Sequence, residues 1–243
     1  ALVEAESGTY YTNGTQVWLH NFDNRVPDAN NLVNINIGSS VLGNTGRLFL
    51  SNLKLLKFSA SGTTIASTLE VYYKDIVNPY ASTITTANSF ELDKFKKAVM
   101  FRCVSINARR DGFNYHNTNL ATNVDVLELE CSAINAGIND TNTNNQCSTA
   151  HEGISIIRLN GSYYGGNDQT IADVNTNTKS VLIGCELNTG TLQTNNFVFL
   201  AEKADLNACK FYGNKQIKAD NVVYIKNSRV NISGVVGNVT ITQ

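Results

Sequence analysis

The chain has 243 residues, 42 % of them hydrophobic and 16 % charged, with a formal net charge of -1. That balance argues against intrinsic disorder and against a dedicated basic nucleic-acid binder, and no run reaches the roughly 18 apolar residues of a membrane helix. The 34 asparagines, set against two prolines, favour short strands joined by tight turns over helices.

No basic stretch followed by an apolar segment opens the sequence, so no signal peptide is expected, and Ala1 at the start suggests a processed product or a fragment. Residues 1–47 read as an irregular β lead-in and 48–243 as stacked units of one domain. The runs LFLSNLKLLKF (48–58) and STLEVYYKDI (67–76) begin the series. In SFELDKFKK (89–97) a helical turn competes with a strand, which the alternation of Phe90 and Leu92 favours equally. AVMFRCVSINA (98–108) aligns with VLELECSAINA (126–136), placing Cys103 and Cys131 28 residues apart and Asn107 on Asn135. The same step forward gives Leu159, followed by Cys185 after 26 residues, Cys209 after 24 and Ser228 after 19.

A shared strand pattern at this period predicts a solenoid. The expected fold is all-β: a parallel β-helix of nine or ten coils, whose equivalent residues stack about 4.8 Å apart. Inward columns would hold Cys, Val, Ile and Leu, and turn columns Asn. A β-sandwich or jelly roll is the competing architecture.

The five cysteines are odd in number, contain no CxxC pair, and with one exception sit in apolar runs. They read as free core thiols of a chain folded in a reducing compartment. The exception, Cys147 in NNQCSTAH, is the one candidate for a reactive thiol.

The segment SGTYYTNGTQVWLH with DNRVPDAN (7–20 and 23–30) resembles an element near the start of many right-handed β-helix proteins, with Tyr10 and Trp18 exchanged relative to the usual pattern. DGFNYH (111–116), STAHEGISIIRLNG (148–161) and IADVN (171–175) resemble β-helix proteins of phages and prophages. The resemblance implies a right-handed β-helix of the pectate-lyase-like superfamily, in particular a phage tail spike or surface-polysaccharide depolymerase. It further implies a homotrimer, in a virion or outside the cell, acting on a bacterial surface polysaccharide.

Glycoside hydrolysis needs two carboxyl groups, about 5–5.5 Å or 6.5–9.5 Å apart. Asp111 and Glu152 each precede a glycine and an apolar run, so they are expected to stack as a catalytic pair, with His116 and His151 beside them as proton carriers. Asp173 is a third acid, either a partner or a turn-bonding residue. Arg109 and Arg110 suit acidic sugars, and Tyr163–Tyr164 before Gly165–Gly166 suit an exposed stacking platform. Alternation points Arg158 outward, and puts Glu128 and Glu130 together on an outward face. Of Tyr72 and Tyr73, at most one faces out. No metal or cofactor is expected, and the N-x-Ser/Thr sequences at Asn13, Asn139, Asn160, Asn231 and Asn238 read as chance. Two other readings stay open: a non-enzymatic structural or receptor-binding module, and a secreted polysaccharide lyase or epimerase.

Overall fold

The structure, a computed structural model, describes residues 9–12, 17–20, 47–54, 60–63, 70–79, 88–117, 124–138, 140–142, 144–175, 177–191, 197–213, 215–231 and 234–242. The chain divides into two compact units, Ala1–Gly38 and Ser39–Gln243. In the first, β1 (Thr9–Thr12) and β2 (Val17–His20) pair antiparallel, with Tyr11 opposite Trp18. Residues 23–30 of the lead-in lie outside the described residues.

The second unit is all-β and its strands pair in parallel. It opens with β3 (Arg47–Lys54), β4 (Ala60–Thr63), β5 (Glu70–Pro79) and β6 (Phe90–Asp93). There follow β7 (Lys97–Phe101), β8 (Val104–Ile106) and β9 (Phe113–His116), then β10 (Val124–Leu129), β11 (Ser132–Ala136) and β12 (Ser148–His151). Next come β13 (Ile154–Leu159), β14 (Ser162–Gly166), β15 (Ile171–Val174), β16 (Lys179–Ile183) and β17 (Glu186–Asn188). The last are β18 (Phe197–Asn207), β19 (Lys210–Tyr212), β20 (Gln216–Lys226), β21 (Arg229–Asn231) and β22 (Gly234–Thr242). Every third strand pairs with its predecessor, as β7–β10–β13–β16, β8–β11–β14–β17 and β9–β12–β15 show. This is a three-faced parallel β-solenoid, not a sandwich.

About five turns, from β7 into β20, carry a strand on each of three faces, and the flanking strands extend the same ladders. The expected nine or ten coils overshoot: the five run 28, 30, 24, 24 and 19 residues, close to the expected length, but they span only the stretch from β7 into β20, and the first 38 residues form their own unit. The segment around 89–97 is strand, not helix: β6 alternates buried Phe90 and Leu92 with half-buried Glu91 and Asp93.

One corner explains the cysteine spacing. Between the first and second faces the chain turns on a residue in the left-handed region, at Asn52, Asp75, Arg102, Glu130, Asn160, Gly184, Ala208 and Asn227, with φ between 48 and 65°. The residue after each turn forms the column Leu53, Ile76, Cys103, Cys131, Gly161, Cys185, Cys209 and Ser228, as the register of Leu53 on Ile76 and the stacked backbone bonds Ser162 N–H to Cys131 O, Glu186 N–H to Gly161 O and Arg229 N–H to Cys209 O require. The column therefore passes through Gly161, not Leu159. All five cysteines are free and buried. Three of them, Cys131, Cys185 and Cys209, donate to carbonyls of the preceding coil, at Met100, Arg158 and Leu182. Asn135 likewise donates to Asn107 across one coil at 3.1 Å.

Alternation failed at two charged residues, Glu128 and Arg158, while Glu130 is exposed as expected. Val124, Val126 and Glu128 face inward, in phase with Ile154, Ile156 and Arg158 on the next strand, so Glu128 and Arg158 are both 0 % exposed rather than outward. Glu130 escapes the strand's phase because it is the left-handed corner residue. Its neighbour at the same corner, Arg102, forms a bidentate pair with Asp75 at 2.6 and 2.8 Å.

Candidate functional site

Two polar clusters occupy neighbouring coils, one inside the solenoid and one outside. Inside, Arg158 grips Asp173 with both terminal nitrogens, at 2.6 and 2.9 Å. Its Nε and a terminal nitrogen also donate to Ser148 Oγ, which donates in turn to Glu128 Oε1 at 2.7 Å. Tyr163 donates its hydroxyl proton to the other Glu128 oxygen, and Ser180 donates to Asp173. Burial disfavours the guanidinium charge, but the Asp173 and Glu128 carboxylates outweigh it and hold Arg158 protonated more firmly than usual.

This cluster removes two expected site residues from contact with any substrate. Asp173 is fully buried and committed to Arg158. Tyr163 is 1 % exposed, so it forms no stacking platform; only Tyr164 faces outward. Gly161 is what admits the Tyr163 ring. A Cβ at Gly161 would lie 2.6 Å from the Tyr163 ring and hydroxyl, so the cysteine column gives way to a glycine here.

Outside, a cavity of about 480 Å³ opens between the third face and the connection from β11 to β12. The floor comes from β6, β9 and β12, whose register aligns Glu91 with Asn114 and Thr149, and Asp93 with His116. The wall comes from Asp140, Asn142 and the Asn144–Gln146 stretch. All twelve lining residues are polar, and they include four expected site residues: Arg110, Asp111, His116 and His151.

Asp111 ties wall to floor. Its Oδ1 accepts from the Gln146 N–H at 2.7 Å and its Oδ2 from Asn114 Nδ2 at 2.5 Å, while its own N–H donates to Asn88 Oδ1 at 3.0 Å. Burial pushes its carboxyl up to about 7, against the opposing pull of those two donors. Glu91 also lies on this cavity, and burial raises its carboxyl while the charges of His116 and Arg110 lower it. Glu91 was missed because nothing in SFELDKFKK resembles the Asp-Gly and Glu-Gly dipeptides; only the register of β6 on β9 brings it in.

The expected stacking of Asp111 on Glu152 does not occur. Asp111 precedes β9 and stacks on Gln146, whereas Glu152 follows β12, so the two dipeptides sit at opposite ends of equivalent strands. Glu152 instead lies beside His116, with Oε2 3.5 Å from Nδ1, and accepts from Asn175 Nδ2 through Oε1 at 2.7 Å. The His116 and His151 rings stack in parallel, 4.4 Å between centroids. Burial and the adjacent His116 push His151 down to about 4, so it is neutral at pH 7. Arg110 reaches toward Asp140 at 3.9 Å, and Arg109 has a buried Nε without a hydrogen-bond partner. Cys147 is buried beneath the cavity wall, its thiol pushed up to about 12, which removes it as a nucleophile.

What the fold and cavity define is a parallel β-solenoid with a polar external cleft. No family model, no curated protein and no solved structure matches the chain.

Proposed function

We propose that the chain is a tail-spike-like β-solenoid that holds a bacterial surface polysaccharide in the external cleft and hydrolyses it there. The observation that carries this reading is the lining: five Asn, one Gln, two His, one Arg and three acids, with no apolar side chain. Side-chain amides offer a donor and an acceptor each, which suits hydroxyl-rich sugars. Asp111, poised to be protonated near neutral pH, serves as general acid, and Glu91 as the second carboxylate. This replaces the Asp111–Glu152 pairing.

The same residue also supports a non-enzymatic module. With both oxygens engaged by Gln146 and Asn114, Asp111 is equipped to clamp the cavity wall whether or not it moves a proton. Assembly of three copies has a candidate surface in Ile134, Ile157, Tyr164 and Ile183, which face outward on the first and second faces at 37–45 % exposure.

The test is to incubate the chain with host capsule or lipopolysaccharide and measure new reducing ends. Hydrolysis predicts that Asp111→Asn and Glu91→Gln each lower the rate by roughly 10²–10⁴-fold, with Glu152→Gln active. Binding without new ends leaves the receptor module, and an unsaturated product identifies a lyase.

A further inference from the structure

We propose that His116, His151 and Glu152 form a binding site for one Zn²⁺ ion at the edge of the cleft floor. One potential ligand atom from each of these three side chains lies within 4.8 Å of the other two, the one such group among the described residues. The set, two imidazoles and a carboxylate, is one that zinc accepts while keeping a further coordination position for water or substrate. That position would open toward the cleft, because both histidines line it.

Three details single out this cluster from an ordinary surface group. The first is Glu152 Oε2, which is buried without a hydrogen-bond partner although His116 Nδ1 stands 3.5 Å away. That spacing matches two ligands about 2.0–2.2 Å from a shared tetrahedral ion. The second is the support of Glu152: Asn175 Nδ2 holds Oε1 at 2.7 Å, fixing the carboxylate so that Oε2 stays turned to the histidines.

The third is the tautomer of His151. Thr149 Oγ1 donates its single proton to the Ala172 carbonyl at 2.6 Å. Its 3.0 Å contact with His151 Nε2 therefore has the imidazole as donor, which places the ring proton on Nε2 and the lone pair on Nδ1. Such an outer hydrogen bond is how metal-binding histidines are usually oriented. Two flat parallel rings 4.4 Å apart cannot both aim at one ion in their planes, so ion binding requires the rings to fan apart.

The site makes no use of Asp111 or Glu91, and its test contains no glycan, so it stands or falls apart from the hydrolytic reading. The full chain is titrated with ZnCl₂ alone, by calorimetry and by ¹⁵N imidazole chemical shifts. One equivalent is expected to bind, moving the Nδ1 resonances of His116 and His151 and leaving those of His20 in place. Asn175→Ala is expected to weaken binding by about 10–100-fold, as loss of an outer partner does, and Glu152→Gln by more. Absence of Zn²⁺ uptake overturns the proposal. So does uptake that leaves both Nδ1 resonances unmoved, or affinity that Glu152→Gln and Asn175→Ala leave unchanged.

Discussion

The polar cluster inside the solenoid and the polar cleft outside it draw on adjacent residues of the same coils, yet they differ in how completely they are bonded. Inside, Arg158, Glu128, Asp173, Ser148, Ser180 and Tyr163 satisfy one another at 0–2 % exposure. Outside, Asn114 Oδ1 in the cleft and Glu152 Oε2 beside the cleft residue His116 are buried without hydrogen-bond partners. A saturated network has nothing left to offer a ligand, whereas an orphaned polar atom costs stability unless something else occupies it. Charge alone does not mark a site here, and unfinished bonding does so only where it meets the cleft, since the Tyr115 hydroxyl and Ser105 Oγ are also buried without hydrogen-bond partners away from its lining.

The sharpest way to break this contrast is from within. Arg158→Ala leaves two carboxylates uncompensated in the core and is expected to cost about 3–5 kcal/mol in chemical denaturation. Asp111→Asn is the external counterpart. Its amide oxygen can still accept from Gln146 N–H, and Asn114 can turn its unpartnered Oδ1 toward the new amide, so at pH 4, where Asp111 is protonated, stability changes by less than about 1 kcal/mol, while any hydrolysis collapses. Gly161→Ala drives a methyl into the Tyr163 ring and is expected to cost about 1–3 kcal/mol, with the loss reduced in a Tyr163→Leu background.

Titration separates the regions further. Asp111 has its folded value raised, from 3.8 to about 7, so its contribution is complete below pH 3.8 and lost as pH rises through 7. His151 has its folded value lowered, from 6.5 to about 4, so its contribution is complete above pH 6.5 and lost as pH falls through 4. Urea midpoints measured from pH 4 to 8 are expected to lose their alkaline decline in Asp111→Asn and part of their acid decline in His151→Gln. The smallest effect belongs to the turn column. Asn135→Ala, at φ 56° and bonded to Asn107, is expected to cost about 1 kcal/mol, and Asn135→Gly less.

The solenoid was legible because its corner leaves a mark in the sequence: from Arg102 onward a small residue follows each left-handed turn, cysteine four times. It became illegible at Gly161, where the demand of a single ring overrode the column. Alternation could not orient Glu128 or Arg158, since it assumes that charge faces water and these two face each other across one register step. The two histidines were expected beside the acids; that they stack on each other follows from both ending equivalent strands, in FNYH and STAH. The acids were mispaired because a dipeptide motif carries no information about which end of a strand it caps.

The repeated corner has an evolutionary consequence. Since a single left-handed residue is enough to start each new storey, a block of chain running from one such residue to the next is a self-contained insert. Duplicating or excising the block between Gly184 and Ala208, on the far side of the cleft's coils, would change the height of the molecule by about 4.8 Å and leave the cleft's walls where they stand. A lineage could thus adjust reach and recognition independently.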